Sequence, residues 1–165
     1  MNRAFLGFGG NLGQPLSLFR QARGQLAEHQ QVKVTSCSPI YQTPAIGGPE
    51  NQPDFLNAVV ELQTDLSAQE LLLLCRQIED EAGRIREIHW GPRTLDIDLL
   101  IFSELILNTV PLTLPHPRLH QRHFVLLPLN DIDPTLRHPL LNCSVKELLE
   151  QLPPAQGITH IQEIW

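Results

Sequence analysis

Hydrophobic residues follow two different periods along the first hundred residues of this chain. In some stretches apolar and polar residues alternate, as in a strand with one buried face, and in others apolar residues recur every three or four positions, as in a helix. Strands are predicted at Ala4–Phe8, Val32–Ser36, Phe55–Leu62 and Leu95–Phe102. Helices are predicted at Gln14–His29 and from Ser67, which forms a capping box with Glu70, to a stop at Gly83.

The order of these elements is β-α-β-β-α-β, which is typical of ferredoxin-like α+β folds with an antiparallel sheet. Further elements are predicted after this core: a short hairpin at Leu105–Leu114, a helical segment at Phe124–Asp131 and a capped helix that starts at Ser144. No repeat, low-complexity tract or linker interrupts the pattern. We therefore expect residues 1–165 to form a single domain.

Composition and charge narrow the class of ligand. Of the residues, 42% are hydrophobic and the formal net charge is −6, which argues against global disorder and against binding to a nucleic-acid backbone. Among the 12 basic residues only Lys33 and Lys146 are lysines, and several arginines lie between Arg76 and Arg93. Because guanidinium groups bind phosphate in a planar, bidentate way, this cluster indicates a small anionic ligand.

Cysteine usage and the N-terminal segment bear on the cellular compartment. Cys37, Cys75 and Cys143 are odd in number and show no C-x-x-C spacing, which favours reduced thiols. No leader-like segment precedes the first predicted strand, and no apolar run approaches the roughly 18 residues that span a bilayer. We expect a cytoplasmic protein without a membrane partner.

The segment Trp90–Leu100, WGPRTLDIDLL, places two carboxylates one residue apart in a predicted strand. Strand side chains alternate between faces, so Asp96 and Asp98 emerge on the same side, roughly 7 Å apart along the backbone. Such oxygen ligands suit hard cations like Mg²⁺. The alternative is an edge strand whose acids face water, but the arginines just upstream favour a site for metal and phosphate.

Two further motifs each allow two interpretations. Phe55 and Asn57 share a strand face, as expected for a ring-stacking wall with a hydrogen-bonding partner, although phenylalanine is by default a core residue. Phe124 is open to the same two interpretations. The turn Gly9–Gly13 either cradles a phosphate at the start of the next helix or only connects a strand to a helix.

Three histidines form the last candidate constellation. His116, His120 and His123 recur at helical spacing and are candidate zinc ligands. Prolines on both sides of His116 place it in a turn before any helix, however. A single His116 that donates a hydrogen bond to phosphate is the favoured interpretation.

A series of short motifs accompanies the HWGPRTLDIDLL segment (residues 89–100) in a fixed order along about 120 residues. They are FGGNLG near the start, then Tyr41–Pro44, Gln52–Asn57, Gly83–Arg86, Leu112–His116 and Arg122–Phe124. Together these motifs resemble the 6-hydroxymethyl-7,8-dihydropterin pyrophosphokinase family of folate biosynthesis. One departure is Gly10, which stands where that family commonly has serine.

The resemblance implies that ATP donates its terminal diphosphate to the pterin hydroxymethyl group and releases AMP, with two Mg²⁺ ions as cofactors. It implies catalytic roles for Arg84, Arg93, Asp96 and Asp98, of which the two aspartates bind metal. The implied ATP-binding residues are Glu79, Arg86, Trp90, Leu99, Thr113, His116 and Arg122. The implied pterin-binding residues are Thr43, Pro44, Ile46, Phe55, Asn57 and Phe124.

Two other classes of protein stay open at this point. A different Mg²⁺-dependent nucleotide phosphohydrolase or phosphotransferase would use the same acids and arginines but would need no aromatic pocket with an amide. The other class is a non-catalytic ferredoxin-like module that binds RNA or a regulatory ligand. A module that binds RNA would interleave aromatic and basic residues on its sheet, whereas only 5% of these residues are aromatic. We expect ATP and the pterin as partners, no nucleic acid, and a monomer.

Overall fold

The computed structural model describes residues 1–45, 47–83, 91–162 and 164–165. Its strands are β1 (Asn2–Gly10), β2 (Val32–Cys37), β3 (Ile40–Thr43), β4 (Phe55–Thr64), β5 (Asp96–Phe102), β6 (Leu107–Asn108), β7 (Thr113–Leu114) and β8 (Thr159–Gln162). Its helices are α1 (Pro15–Glu28), α2 (Ala68–Glu81), α3 (His123–Ile132) and α4 (Val145–Gln151), with a 3₁₀ turn at Leu119–Gln121.

The main sheet has the strand order β5-β1-β4-β3-β8, with β2 paired to the second half of β4. Neighbouring strands in it are antiparallel. Both helices of the predicted β-α-β-β-α-β core connect strands that are not adjacent, so the sequence-based prediction of a ferredoxin-like α+β fold is confirmed. The predicted hairpin is present as the short ribbon β6–β7.

The predicted helix boundaries are set by their own side chains. Ser67 Oγ accepts from Glu70 N, and the Glu70 carboxylate accepts from Ser67 N, which is the predicted capping box of α2. Ser144 and Glu147 form the same pair at the start of α4. Gly83 follows α2 with φ of +76°, a conformation that glycine adopts without strain.

One edge of the sheet differs from the prediction, because no strand was predicted at the positions of β3 and β8. The edge does not end at β2 but continues as β3 beyond a break at Ser38. Ser38 bridges the break: its N donates to Val59 O at 2.8 Å, and its Oγ accepts from Val59 N at 2.8 Å. The strand β8 then pairs with β3 and extends the sheet by one more strand.

The two faces of the sheet are covered differently. The closed face is packed by α1 and α2 through residues such as Phe19, Leu26, Leu71 and Ile78, which belong to one continuous apolar core. The open face is packed by α3 and α4 against a smaller cluster that includes Phe5, Val59 and Leu100. A register shift between β1 and β5 at Phe5 and Leu6 adds Ile101 to that smaller cluster. The rest of the open face is a cleft.

Two predictions about the whole chain can be compared with the structure. Cys37, Cys75 and Cys143 are free thiols, as their spacing predicts. In the part of the chain that the structure describes, no helix combines the length and the apolarity needed to cross a bilayer.

Candidate active site

A cleft of about 480 Å³ occupies the uncovered part of the open face. Its floor comes from β1, β4 and β5, and its walls come from α3 and from loops on both sides. The structure brings many of the predicted site residues together around it: Thr43, Pro44, Phe55, Asn57, Arg93, Asp96, Asp98, Arg122 and Phe124. Residues that lie up to 81 positions apart in sequence therefore share one surface.

The two acids of the DID segment lie on the floor, because β5 alternates as predicted. Asp96 and Asp98 line the cleft, whereas Ile97 is 4% exposed in the core of the closed face. Their partners across the ladder in β1 are both glycines, Gly9 opposite Asp96 and Gly7 opposite Asp98. Since neither glycine carries a side chain, the floor beside the carboxylates is clear for a ligand.

The donor set of the floor fits a hard cation. Two carboxylates on one strand face supply oxygen ligands, and Mg²⁺ is usually held by one or two carboxylates while water and substrate phosphates complete its shell. In the described residues no group of three or more His, Cys, Asp or Glu side chains is placed to hold a metal. An open site of this kind suits Mg²⁺ better than a closed zinc site.

Glu79 supports the acids from behind. It lies in α2, is 3% exposed, and its Oε1 accepts from Ile97 N at 2.7 Å. Ile97 is the residue between the two aspartates, so this bond fixes the strand backbone that carries them. The structure places Glu79 behind Asp96 and Asp98, and the nucleotide contact that the resemblance implies for it stays a prediction.

Three guanidinium groups converge on the cleft from loops: Arg93, Arg118 and Arg122. Arg93 Nη1 donates to Asp96 Oδ2 at 3.0 Å, which links the arginines to the acids. Burial lowers the pKa of Arg122, and Arg118 and Arg93 lower it further, while Asp98 and Asp96 oppose them. An anion relieves the mutual repulsion among these guanidinium groups, so this wall suits phosphate groups.

The turn after β1 positions Arg93. Asn11 N and Leu12 N donate to Arg93 O at 2.9 and 3.1 Å, and Asn11 Oδ1 accepts from Arg93 N at 3.0 Å. Asn11, 5% exposed, thus holds the backbone of an arginine 82 residues away. Because these two N–H groups already bind Arg93 O, the structure favours the alternative that this turn only connects a strand to a helix.

Close packing at the same place accounts for Gly10. A Cβ at Gly10 would lie 2.4 Å from Thr94 O, a backbone atom that cannot move aside. In this chain the close approach of β1 to the Arg93–Thr94 segment requires glycine. The departure from serine is thus part of how Arg93 is held.

His116 does not itself line the cleft but is bonded to two residues that do, Leu100 and Arg118, and it is neutral at physiological pH. Burial lowers the pKa of His116 to about 4, with repulsion from Arg122 and Arg118 acting in the same direction and Asp96 opposing them. His116 N donates to Leu100 O at 2.8 Å, and its Nδ1 accepts from Arg118 N at 3.2 Å. The single ring proton is therefore on Nε2, which makes His116 a hydrogen-bond donor without charge.

The other half of the cleft is lined by aromatic rings and an amide, and Arg93 and Arg122 lie beside the rings. Asn57, 7% exposed, donates from Nδ2 to Thr43 Oγ1 at 2.8 Å. Phe55 and Phe124 line the same cavity, as predicted for a ring-stacking pocket. The guanidinium carbon of Arg93 lies 5.1 Å from the Phe55 ring centroid, and that of Arg122 lies 5.4 Å from the Phe124 centroid. The aromatic half and the cationic half are therefore continuous.

Several predicted residues are not brought to the cleft. Leu99 is 3% exposed in the core of the closed face, so its side chain does not reach the site. Thr113 lies in β7 outside the cavity. Ile46, Arg84, Arg86 and Trp90 lie outside the described residues, and their roles stay predictions. The nucleotide contacts of Leu99 and Thr113 also stay predictions.

The alternative of a three-histidine zinc site is wrong. The ring of His120 packs edge-on against His138 at 5.9 Å, and His123 Nε2 contacts Pro153 O at 2.6 Å. The His116 ring accepts from Arg118 N at 3.2 Å, so the three histidine side chains have three different sets of partners. The proline on each side of His116 was the sequence signal that pointed this way.

Sequence reasoning missed part of the cleft wall. Its lining also includes Arg118, Gln121 and His123 from the segment before α3, and Gln156 and Ile158 from the segment before β8. Arg118 was detectable, since it lies two residues after the end of the selected motif Leu112–His116. Gln156 and Ile158 carried no local signal.

Two carboxylates beside guanidinium groups suit metal-bound phosphate, and an aromatic pocket with an amide suits a flat ring, which together are features of an enzyme that transfers phosphate-containing groups. The comparisons with known proteins specify the family. A family model described as 7,8-dihydro-6-hydroxymethylpterin-pyrophosphokinase (HPPK) matches residues 5–134. The chain belongs to this family.

Curated relatives agree with that assignment. The 2-amino-4-hydroxy-6-hydroxymethyldihydropteridine pyrophosphokinase of Bacillus subtilis is 47% identical over 131 residues, which is 79% of this chain and 78% of the relative. The protein of the same name from Pseudomonas aeruginosa is 37% identical over 162 residues, which is 94% of this chain and 99% of the relative.

Solved structures share the fold. The HPPK-DHPS of Plasmodium falciparum, determined with SDX-DHP, superposes with a TM-score of 0.68 at 18% identity. The match covers 92% of this chain and 43% of that chain, so this chain spans less than half of the length of that protein.

Proposed function

We propose that this protein transfers diphosphate from ATP to the hydroxymethyl group of 6-hydroxymethyl-7,8-dihydropterin, forming the pterin diphosphate and AMP in folate biosynthesis. Membership of the pyrophosphokinase family supports the reaction. The observation that carries the proposal is the continuity of two half-sites in one cleft, an aromatic half with a buried amide and a cationic half with two carboxylates. A phosphohydrolase would need only the second half.

The aromatic half binds the pterin. Phe55 and Phe124 stack against the flat ring, which buries apolar surface on both sides. Asn57 is oriented by its bond to Thr43 Oγ1, so that its remaining amide groups face the polar edge of the ring. A buried amide that is already oriented rejects rings that lack the matching donors and acceptors, because its own groups would be left unpaired.

The cationic half binds the triphosphate. Arg93, Arg118 and Arg122 supply guanidinium donors to phosphate oxygens, and neutral His116 donates from Nε2 without adding to the repulsion among them. Asp96 and Asp98 would hold Mg²⁺, which supplies neutralisation of phosphate charge when it is bound. Glu79 and Asn11 keep the acids and Arg93 in place through the backbone.

The reaction then requires in-line geometry. The hydroxymethyl oxygen attacks the β-phosphorus of ATP, a new P–O bond forms, and the bond between the β-phosphorus and the α,β-bridging oxygen breaks. That oxygen leaves with AMP, and the hydroxyl proton is released to solvent. Holding both substrates in one cleft at the attack distance replaces a bimolecular encounter, which is the main contribution of such a site.

The direct test is a product assay. Purified protein incubated with ATP, Mg²⁺ and the pterin should release AMP and the pterin diphosphate in equal amounts, and it should release almost no AMP without the pterin. Release of phosphate or pyrophosphate that does not depend on the pterin would favour the phosphohydrolase class instead. The Asp98→Asn variant serves as the matched negative control.

We infer two Mg²⁺ ions per site, a single domain over the whole chain, a monomer and a cytoplasmic location. The two carboxylates on the floor, Asp96 and Asp98, support a metal site, and the number of ions follows from the resemblance to the family. Sedimentation of the protein at micromolar concentration tests the monomer, and Mg²⁺ titration of the ATP complex tests the number of ions.

A further inference from the structure

The segment between α4 and the last described residue contributes a wall to the cleft. We call residues 153–158 the strap. Gln156 and Ile158 of the strap line the same cavity as Phe55, Asn57 and Phe124. The family model ends at residue 134, so the strap lies outside the part of the chain that the family model matches.

The strap is held at both ends across the aromatic half of the cleft. At its start, Pro153 O contacts His123 Nε2 at 2.6 Å, next to Phe124 at the beginning of α3. Near its end, a Cβ at Gly157 would lie 3.2 Å from Pro44 Cγ, and Gly157 has φ of +71°. The strap therefore runs from one wall of the pterin pocket to the loop that follows β3.

The chain beyond the strap fixes it to the rest of the fold. Strand β8 pairs with β3, with Thr159 opposite Gln42 and His160 opposite Tyr41. The Tyr41 and His160 rings meet at 5.5 Å. The strap thus continues directly into a hydrogen-bonded strand, which limits how far Ile158 can move away from the cleft.

Trp165 anchors the end of this segment in the closed-face core. It is 4% exposed, and its Nε1 donates to Ser38 O at 2.7 Å. Its ring lies 5.9 Å from Phe8 and 5.7 Å from Phe19, and the Arg23 guanidinium lies 5.3 Å from its centroid. A segment anchored in the core on one side and paired to the edge strand is rigid enough to select a ligand.

We propose that Ile158, with Gln156 beside it, is a specificity-determining residue for the ring substrate, and this inference rests on the proposed function. The half-buried Ile158 side chain closes the aromatic half of the cleft and limits which substituents the pterin ring can carry. Gln156 offers an amide donor and acceptor at the mouth of the same pocket. The acids and arginines set the reaction, and the strap sets how much room the ring has.

Two calorimetric titrations test this inference. In the first, the protein is titrated with α,β-methylene-ATP, which cannot transfer diphosphate. In the second, the complex with this analogue is titrated with 6-hydroxymethyl-7,8-dihydropterin. The Ile158→Ala variant should bind the pterin about tenfold more weakly and the ATP analogue within twofold of wild type. Thr159→Ala, the next residue along and outside the cavity, is the matched control and should change neither affinity.

A selectivity profile adds a readout that a merely structural role would not change. Pterins with one added methyl group at different ring positions should bind wild type poorly, and Ile158→Ala should reduce this discrimination about tenfold for one of them. Equal weakening of both probes, or an unchanged profile, would overturn the inference. If wild type transfers no diphosphate to the pterin, the proposed function fails first, and the two failures are thereby distinguished.

Discussion

The closed and open faces of the sheet are built from the same strands, yet they perform different tasks. On the closed face α1 and α2 pack against the strands, and the side chains there form a continuous apolar core. On the open face α3 and α4 cover only one end of the strands. The polar side chains of β4 and β5 that would be costly in a core line the cleft instead.

Neighbouring residues of β5 contribute to function and to stability in turn. Asp96 and Asp98 serve the cleft, and Ile97 between them serves the core. The alternation of strand side chains makes this division possible, because the pleat sends neighbours to opposite faces. Substitutions at neighbouring positions should therefore have different kinds of effect.

The largest expected effect is at Asp98. The Asp98→Asn substitution keeps the shape of the side chain but removes one carboxylate from the metal and phosphate site. Metal-borne charge neutralisation is worth several kcal/mol, so we expect turnover to fall by about three orders of magnitude or more. Denaturant unfolding should change by no more than about 0.5 kcal/mol. Activity near the wild-type level would contradict the metal assignment.

Ile97→Ala should show the opposite result. This substitution removes buried apolar atoms from the closed face, and such changes cost about 2–5 kcal/mol of unfolding free energy. Turnover at a temperature where the variant is folded should stay within a few-fold of wild type. Paired measurements of stability and activity on Ile97→Ala and Asp98→Asn test the division of labour directly. If the two variants lost stability and activity in the same proportions, the division between the two faces would be contradicted.

A third prediction divides the cleft into its two halves. Asn57→Ala removes the amide that Thr43 orients, and loss of buried hydrogen bonds to the ring should weaken pterin binding by about 1–3 kcal/mol. Binding of a non-hydrolysable ATP analogue should change little, because the arginines and acids are unaffected. Calorimetric titration with each ligand decides the matter, and equal weakening of both would indicate a folding defect.

The smallest expected effect lies where α3 and α4 close the far end of the open face. Burial and the nearby His120 lower the pKa of His138, which is 4% exposed. The folded state thus binds this proton less readily than the unfolded chain. The stabilising contribution is present above the unfolded pKa of about 6.5 and is lost as pH falls towards the folded pKa.

His138→Asn sharpens that last test. The Nδ1 atom of His138 accepts from Leu140 N and Leu141 N at 3.3 and 3.1 Å, and an asparagine oxygen can accept in a similar position without titrating. Unfolding free energies measured between pH 8 and pH 5 should fall less steeply for the variant. An unchanged slope would assign the acid sensitivity to other groups.

The sequence predicted those parts of the fold that depend on residues close together along the chain, and not those that depend on distant residues. Local patterns predicted both helices of the core, the two capping boxes and the face shared by Phe55 and Asn57, because each is decided within a few residues. The strands β3 and β8 were missed since each is short, and their pairing with one another depends on residues more than a hundred positions apart.

The candidate site shows the same limit. The acids and the aromatic residues were recognised, because strand alternation places them on one face and because the motifs resemble a known family. The role of Asn11 was not predicted, since its contact with Arg93 spans 82 residues and depends on the close approach that Gly10 permits. Ile158 reaches the cleft only because Trp165 and β8 anchor the segment that carries it.

Gly7 and Gly9, opposite the acids, contribute no side chains of their own to the floor of the open face, so substrates can bind where side chains pack on the closed face. Ligands that bind only the folded state shift its melting temperature with concentration. The midpoint of thermal unfolding should therefore rise with the concentrations of nucleotide and pterin, and it reports on binding without a measurement of the reaction.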